Sequence, residues 1–221
     1  MSLAARHRDD PAPALAPLPG FTVRREQRAA AMATLQGRTG AEVAARFAAG
    51  HRAYVARRDG EPVAWGWVAT RSAHIGELGS TFAIASGERY LWNFVTIAAH
   101  RGLGIYPRLL EAIVRAESAD EAEPAERFWI AYAPENHASG AGIRKAGFAA
   151  VAELSFDAAG RPAVRATAPG GTAAARAFAL PQASEPLAPC WRCVRAGRGP
   201  MSCAEGQCRC DYQIPKSGCA A

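Results

Sequence analysis

The residues best suited to chemistry form one short turn, Arg101-Gly102-Leu103-Gly104-Ile105-Tyr106. Upstream, Tyr90 to Ile97 is short, aromatic and β-branched, and predicts a buried strand. Downstream, Ile105, Leu109, Leu110, Ile113 and Val114 recur at helical spacing. Pro107 sits in the first turn of that helix, where a missing N–H costs nothing. The first turn of a helix carries unpaired N–H groups and a partial positive charge of about half an elementary unit. Glycines before it allow a ligand to approach the backbone closely. Such a turn binds phosphate or pyrophosphate, although Gly-x-Gly spacing alone also describes an ordinary tight turn. No Gly-Lys-Ser/Thr follows, so it is not a P-loop, and the third glycine of the dinucleotide fingerprint is missing.

With Pro-Arg-Leu-Leu following it, the turn resembles the acetyl-CoA signature of the GNAT N-acetyltransferases, Gln/Arg-x-x-Gly-x-Gly/Ala before a helix. Tyr106 departs from the pattern, standing where Gly or Ala is usual. A second segment, Asn136-His-Ala-Ser139 followed by Ile143-Arg-Lys145-Ala-Gly147-Phe148, resembles the second cofactor segment of the family. Two matches in order are far more specific than one. The resemblance covers residues 21–167 or so. It implies a mixed α/β sheet with helices on both faces, in which a central strand and its parallel neighbour splay apart around the pantetheine arm.

Carried onto this sequence, the resemblance implies that Phe94, Val95, Thr96 and Ile97 offer backbone to pantetheine. Arg101, Gly102, Leu103, Gly104, Ile105 and Tyr106 would hold the pyrophosphate, and Asn136 and Ser139 would reach the pantetheine or phosphate end. Structurally, Asn136 also reads as a helix cap and Gly147 as a helix stop. The implied chemistry is direct attack of an acceptor amine on the thioester of acetyl-CoA. It needs a neutral amine, a polarised carbonyl and a proton for the departing thiolate. Glu88 is the nearest acid to the central strand and the candidate base, the competing reading being a solvated loop glutamate. Where relatives often carry a tyrosine, this chain has Ile143; Tyr106 is the candidate acid, with Tyr132 and Ser139 as substitutes. His100 and His137 adjoin the motifs but read as exposed neighbours.

The elements around these motifs follow in order. Residues 1–20, rich in Pro and Ala, predict a disordered lead-in. Phe21 to Arg25 predicts a strand, and Glu26 to Gln36 and Ala41 to Ala49 predict helices. Asp59-Gly60 is a hairpin signal between strands Ala53–Arg57 and Val63–Thr70. Alternation puts Trp65 and Trp67 on one face of the second strand, more often core than ligand platform. Ser72 to Gly87 predicts no regular element. Arg127 to Tyr132 predicts a strand, and Phe148 to Phe156 with Pro162 to Thr167 a closing hairpin. The domain therefore spans 21–168, and residues 169–189 read as a linker with one short helix at Thr172 to Ala179.

All six cysteines fall between Cys190 and Cys219. Cys190, Cys193, Cys203, Cys208 and Cys210 could supply thiolates to a tetrahedral zinc or an iron–sulfur cluster. Disulfides and free thiols are the alternatives, and a reducing compartment disfavours the first. This small cysteine-rich extension at 190–221 would need such a staple to fold. It also supports a second function class: a GNAT scaffold with weak catalysis that binds a protein partner, or dimerises, through a metal-stapled tail.

Composition narrows the rest. At 49% hydrophobic and 21% charged, the 221 residues are ordinary for a globular protein. A net charge of +6 suits an anionic cofactor such as CoA. No basic run with interleaved aromatics argues for nucleic acid. No apolar stretch spans a membrane and no signal-peptide core is present, so the cytoplasm is the expected location. The expected acceptor is a small-molecule or peptide amine.

Overall fold

The computed structural model describes residues 1–188 and the single position Val194. The chain begins with β1 (Ser2–His7) and β2 (Phe21–Glu26), then α1 (Ala29–Gln36) and α2 (Gly40–Ala48). Four strands follow: β3 (His51–Arg58), β4 (Glu61–Ala69), β5 (Ser72–Ile75) and β6 (Ser80–Ala83). Next come β7 (Glu88–Thr96), a 3-10 turn at Ala98–His100 and α3 (Ile105–Ser118). The remainder is β8 (Arg127–Tyr132), α4 (His137–Lys145), β9 (Ala149–Phe156), β10 (Pro162–Ala166) and α5 (Gly171–Ala177). These elements divide into a larger unit, Ala4–Ser72 with Ile84–Ala149, and a smaller one, Met1–Leu3 with Ala73–Ala83 and the described residues from Ala150.

In the larger unit the strands are hydrogen-bonded in the order β1-β8-β7-β4-β3-β2. The β2–β3, β3–β4 and β4–β7 pairs are antiparallel and β7–β8 is parallel, which makes the sheet mixed. Alternation along β3 and β4 sorts residues to two faces. Tyr54, Ala56, Ala64 and Val68 pack with Ile105, Leu109, Leu110 and Ile113 of α3 and Ile143 of α4. Ala53, Val55, Trp65 and Trp67 pack with Met32 and Ala33 of α1 and Val43 of α2. A helical layer therefore covers each face, as expected, and both tryptophans are core. Asp59 (φ 52°) and Gly60 (φ 89°) are both left-handed in the β3–β4 loop. That is the conformation a type I′ hairpin turn requires.

Three readings of the sequence are corrected. The first residues are not a disordered lead-in: Ser2–His7 is a strand, with Leu3 and Ala4 buried. Arg6 is also buried, its Nη1 donating to the Ala146 carbonyl at 2.9 Å and pairing with Glu111. The segment has no β-branched residue, so its order comes from these neighbours and not from local propensity. Second, Ser72 to Gly87 contains the paired strands β5 and β6. Third, the stretch to residue 188 is not a linker. In the smaller unit, α5 is followed by Phe178, 1% exposed, whose ring centroid lies 4.5 Å from that of Phe82. Gln182 bridges to Val164, and Ala188 donates its N–H to Phe156 at 2.8 Å and accepts from the Ser155 hydroxyl at 2.8 Å. Alanine and proline at the surface hid the few apolar residues that anchor it.

Among the described residues no helix is long and apolar enough to cross a membrane.

Candidate active site

The site begins with an irregularity in β7. Trp92 and Val95 of β7 pair with Trp67 and Trp65 of β4, so that four residues on one strand lie opposite three on the other. Asn93, at φ 51°, takes the left-handed conformation that asparagine tolerates better than most side chains. The extra residue resets the alternation. Trp92 and Val95 both reach the core under α1 and α2, whereas Phe94 packs on the opposite face. At the same point β7 parts from β8. Their parallel pairing runs from Glu88↔Arg127 to Leu91↔Ile130 and stops, although β7 continues to Thr96. Arg89, Tyr90 and Leu91 are buried, and every residue from Trp92 to Ile97 is half-buried. Among the described residues the backbone edge of Trp92 to Thr96 on the β8 side thus has no strand partner, and it can accept an extended ligand by β-type hydrogen bonding.

The chain then reaches the glycine turn. Nε of Arg101 donates to the Thr96 carbonyl at 3.1 Å, tying the turn to the strand end. Gly102 (φ 81°) and Gly104 (φ 68°) adopt the left-handed region, and Gly104 is the N-cap of α3. No side chain caps this 14-residue helix, and no acid stands in its first turn. Its first N–H groups and partial positive charge are therefore available to an anion. Arg108 adds a guanidinium, donating through Nη1 to the Gly104 carbonyl at 2.7 Å. Leu103, 44% exposed, stands at the tip.

The second motif faces the same helix start. Oδ1 of Asn136 accepts the N–H of Ser139 at 3.0 Å and caps α4. Tyr106 reaches across, its ring centroid 5.6 Å from that of Phe94 and its hydroxyl near the Ser139 side chain. Burial raises the Tyr106 phenol pKa above the ordinary value, with Ser139 opposing, so the hydroxyl stays protonated. Room for the ring comes from Gly142, where a Cβ would lie 2.4 Å from Tyr106 Cδ1. The bulky residue at 106 is thus matched by a missing one at 142. Gly142→Ala is expected to lower stability by about 1–3 kcal/mol through overpacking, despite the better helix propensity of alanine. Thermal unfolding checks this, and Tyr106→Ala in the same chain is expected to recover much of the loss.

Glu88 is not brought to this slot. It lies at the other end of β7, roughly 20 Å along the strand from Val95. Its carboxylate accepts from the Trp129 indole at 2.9 Å and stands 3.8 Å from Arg127. Sequence reasoning also passed over a polar cluster beside the bulge. Trp92 donates its indole N–H to Nδ1 of His51 at 3.2 Å, and the Arg46 guanidinium lies 4.8 Å from the Trp92 ring centroid. Burial, and then the charge of Arg46, lowers the His51 pKa. The ring is therefore neutral near pH 7, with Nδ1 as acceptor and the proton on Nε2. Nothing local marks these residues, because a helix end and two strands bring them together.

The five cysteines read as metal ligands lie outside the described residues. Among the described residues no group of three His, Cys, Asp or Glu is placed to hold a metal ion.

The sequence matches the Acetyltransferase (GNAT) family over residues 19–148, more than half of the chain. The chain belongs to the GNAT acetyltransferase family. It is an acyltransferase. Comparison with curated proteins gives no match. Among solved structures, it is similar to a GCN5-related N-acetyltransferase from Kribbella flavida, at 20% identity and TM-score 0.42, covering 67% of this chain and 53% of that one. An aminoglycoside acetyltransferase in complex with coenzyme A and kanamycin is 18% identical, with TM-score 0.43 and coverage of 62% and 86%. An aminoglycoside antibiotic 6'-N-acetyltransferase from Acinetobacter baumannii is 14% identical, with TM-score 0.41 and coverage of 59% and 91%.

Proposed function

We propose that this GNAT protein moves the acetyl group of acetyl-CoA to the amine of a small molecule or peptide, using the β7 slot and the α3 turn as its cofactor site. The observation that carries the reading is the end of β7–β8 pairing at Leu91, upstream on the same strand that leads into a helix N-terminus without a side-chain cap, flanked by Arg101 and Arg108. Phe94, Val95, Thr96 and Ile97 present backbone to the pantetheine amides. Residues Arg101 to Tyr106 hold the pyrophosphate with N–H groups and positive charge. Asn136 and Ser139 close the slot from α4.

Bound acetyl-CoA supplies an acyl group activated as a thioester. A backbone N–H on the free edge of β7, near Val95, polarises the thioester carbonyl and stabilises the oxyanion that forms when the amine nitrogen attacks its carbon. As the C–N bond forms and the C–S bond breaks, Tyr106 gives its proton to the departing sulfur. The attacking nitrogen loses its proton to solvent, and solvent returns one to Tyr106. Most of the rate comes from holding the neutral amine against the carbonyl, so no dedicated base is needed at Glu88.

Calorimetric titration of the full-length protein with acetyl-CoA tests the site. One saturable site is expected, followed by amine-dependent thiol release. A folded protein that shows no binding overturns the reading.

A further inference from the structure

A second opening lies in the larger unit, where the ends of α2, β2, β3 and β4 surround a polar cavity of about 410 Å³. Its charged and titratable lining includes Arg25, Glu26, His51, Arg52, Arg71 and Glu123. His51 links it to the reaction centre through its bond to Trp92, the residue at which β7 parts from β8. Trp92 and Val95 share a face and lie opposite Trp67 and Trp65, so they are about 7 Å apart along the strand.

The charges in this cavity are unequally committed. Glu26 accepts from both Nε and Nη2 of Arg28 at 2.9 Å, and those bonds hold its carboxyl down at about 2. Glu123 pairs with Arg52 at 3.0 Å and with Arg89 at 3.5 Å. Arg52 is also taken up by Glu117 at 2.7 Å and Asp120 at 3.1 Å. Arg71 is different. Among the described residues its guanidinium has no hydrogen bond and no ion pair. Its stem is nonetheless placed: it lies on Gly50 (φ 85°), where a Cβ would come within 2.8 Å of Arg71 Cδ. The backbone on either side is pinned, Thr70 donating its hydroxyl to the Gly50 carbonyl at 2.8 Å and Ile84 its N–H to the Arg71 carbonyl at 2.8 Å. The cavity therefore presents a positioned, unpaired guanidinium, with Arg25 as a second cation, while its carboxylates are already neutralised.

Resting on the acetyl-transfer reading above, we propose that this cavity receives the acceptor and that the acceptor is an amine bearing an oxyanion, a carboxylate or a phosphate, held by Arg71. A planar guanidinium pairs with either group through two parallel N–H···O bonds. With its anionic end on Arg71, such an acceptor extends its amine past His51 toward Trp92 and the thioester. A polycationic acceptor has no carboxylate free to meet it and faces the Arg71 charge.

The test is amine-dependent thiol release by the full-length protein with acetyl-CoA. Amino acids are each compared with their decarboxylated amines, phosphoethanolamine with ethanolamine, and kanamycin serves as a polycation. The expected result is a kcat/KM about tenfold or more higher for the carboxylate or phosphate partner of a pair, and the favoured pair identifies which oxyanion is read. Arg71→Ala is expected to remove that preference through KM with acetyl-CoA affinity unchanged, and Arg71→Lys to restore part of it. Equal or better turnover of the decarboxylated amines or kanamycin overturns the proposal. So does an unchanged preference in Arg71→Ala, or no turnover of any oxyanion-bearing amine by protein that binds acetyl-CoA. Loss of acetyl-CoA binding in the wild type would instead strike the cofactor-site reading.

Discussion

Gly104→Glu is expected to weaken acetyl-CoA binding severely while the protein stays folded. The residue is the N-cap of α3 at φ 68°, in the conformation that costs an L side chain about 1–2 kcal/mol. That strain is small beside the stability of a domain. A Cβ there would come within 2.4 Å of Arg108 Nη1, the far end of a flexible side chain that can move aside. Binding suffers more. The new carboxylate sits where the phosphate charge would lie, repels it, and pairs with Arg108, removing a second attraction. A rise in Kd of about a hundredfold, roughly 3 kcal/mol, is expected by calorimetry. Gly160→Glu is the matched control, because Gly160 is also left-handed (φ 74°), a Cβ added there would meet nothing within 4 Å, and it lies in the β9–β10 turn. Normal affinity in a folded Gly104→Glu protein would remove the pyrophosphate from this turn.

The largest stability effect is expected at Glu117. Its side chain is fully buried at the C-terminal end of α3. Oε2 accepts from Arg89 Nε at 2.8 Å and Arg52 Nη1 at 2.7 Å, and Oε1 accepts from the Tyr54 hydroxyl at 2.6 Å. Arg89 is itself fully buried. Glu117→Ala leaves that guanidinium in a low-dielectric interior without its buried carboxylate, with only the more exposed Glu123 at 3.5 Å, which costs about 3–5 kcal/mol. Denaturant unfolding measures it as a lowered midpoint, and a change below about 1 kcal/mol would contradict the assigned role. Removing both partners in Arg89→Ala/Glu117→Ala is expected to cost less than the sum of the single changes, because no unpaired charge remains. The network joins the far end of α3 to β3 and β7 while the near end faces the slot, so it also sets the direction of the helix that binds the cofactor.

Features carried by contiguous residues are legible in the sequence alone. The glycine turn, the helix after it and the Asp59-Gly60 hairpin are local events, governed by φ preferences and by apolar spacing within a few residues. Strand Arg127–Tyr132 and the Asn136 cap are legible for the same reason. So is the family, because its two cofactor motifs are each contiguous. Features that depend on distant partners are not. Ser2–His7 carries no strand signal of its own and is ordered through Ala146 and Glu111. The pairing of Tyr106 with Gly142 joins two helices, and Tyr106 alone reads as a departure without a purpose. Glu88 looks placed for catalysis because it is near the motif in sequence, yet a strand separates neighbours along its axis by about 3.3 Å per residue. The cluster of Trp92, His51 and Arg46 draws on β7, β3 and the end of α2. Its chemistry exists only once the sheet closes, since desolvation and charge pairing are properties of three-dimensional neighbours and not of residue order.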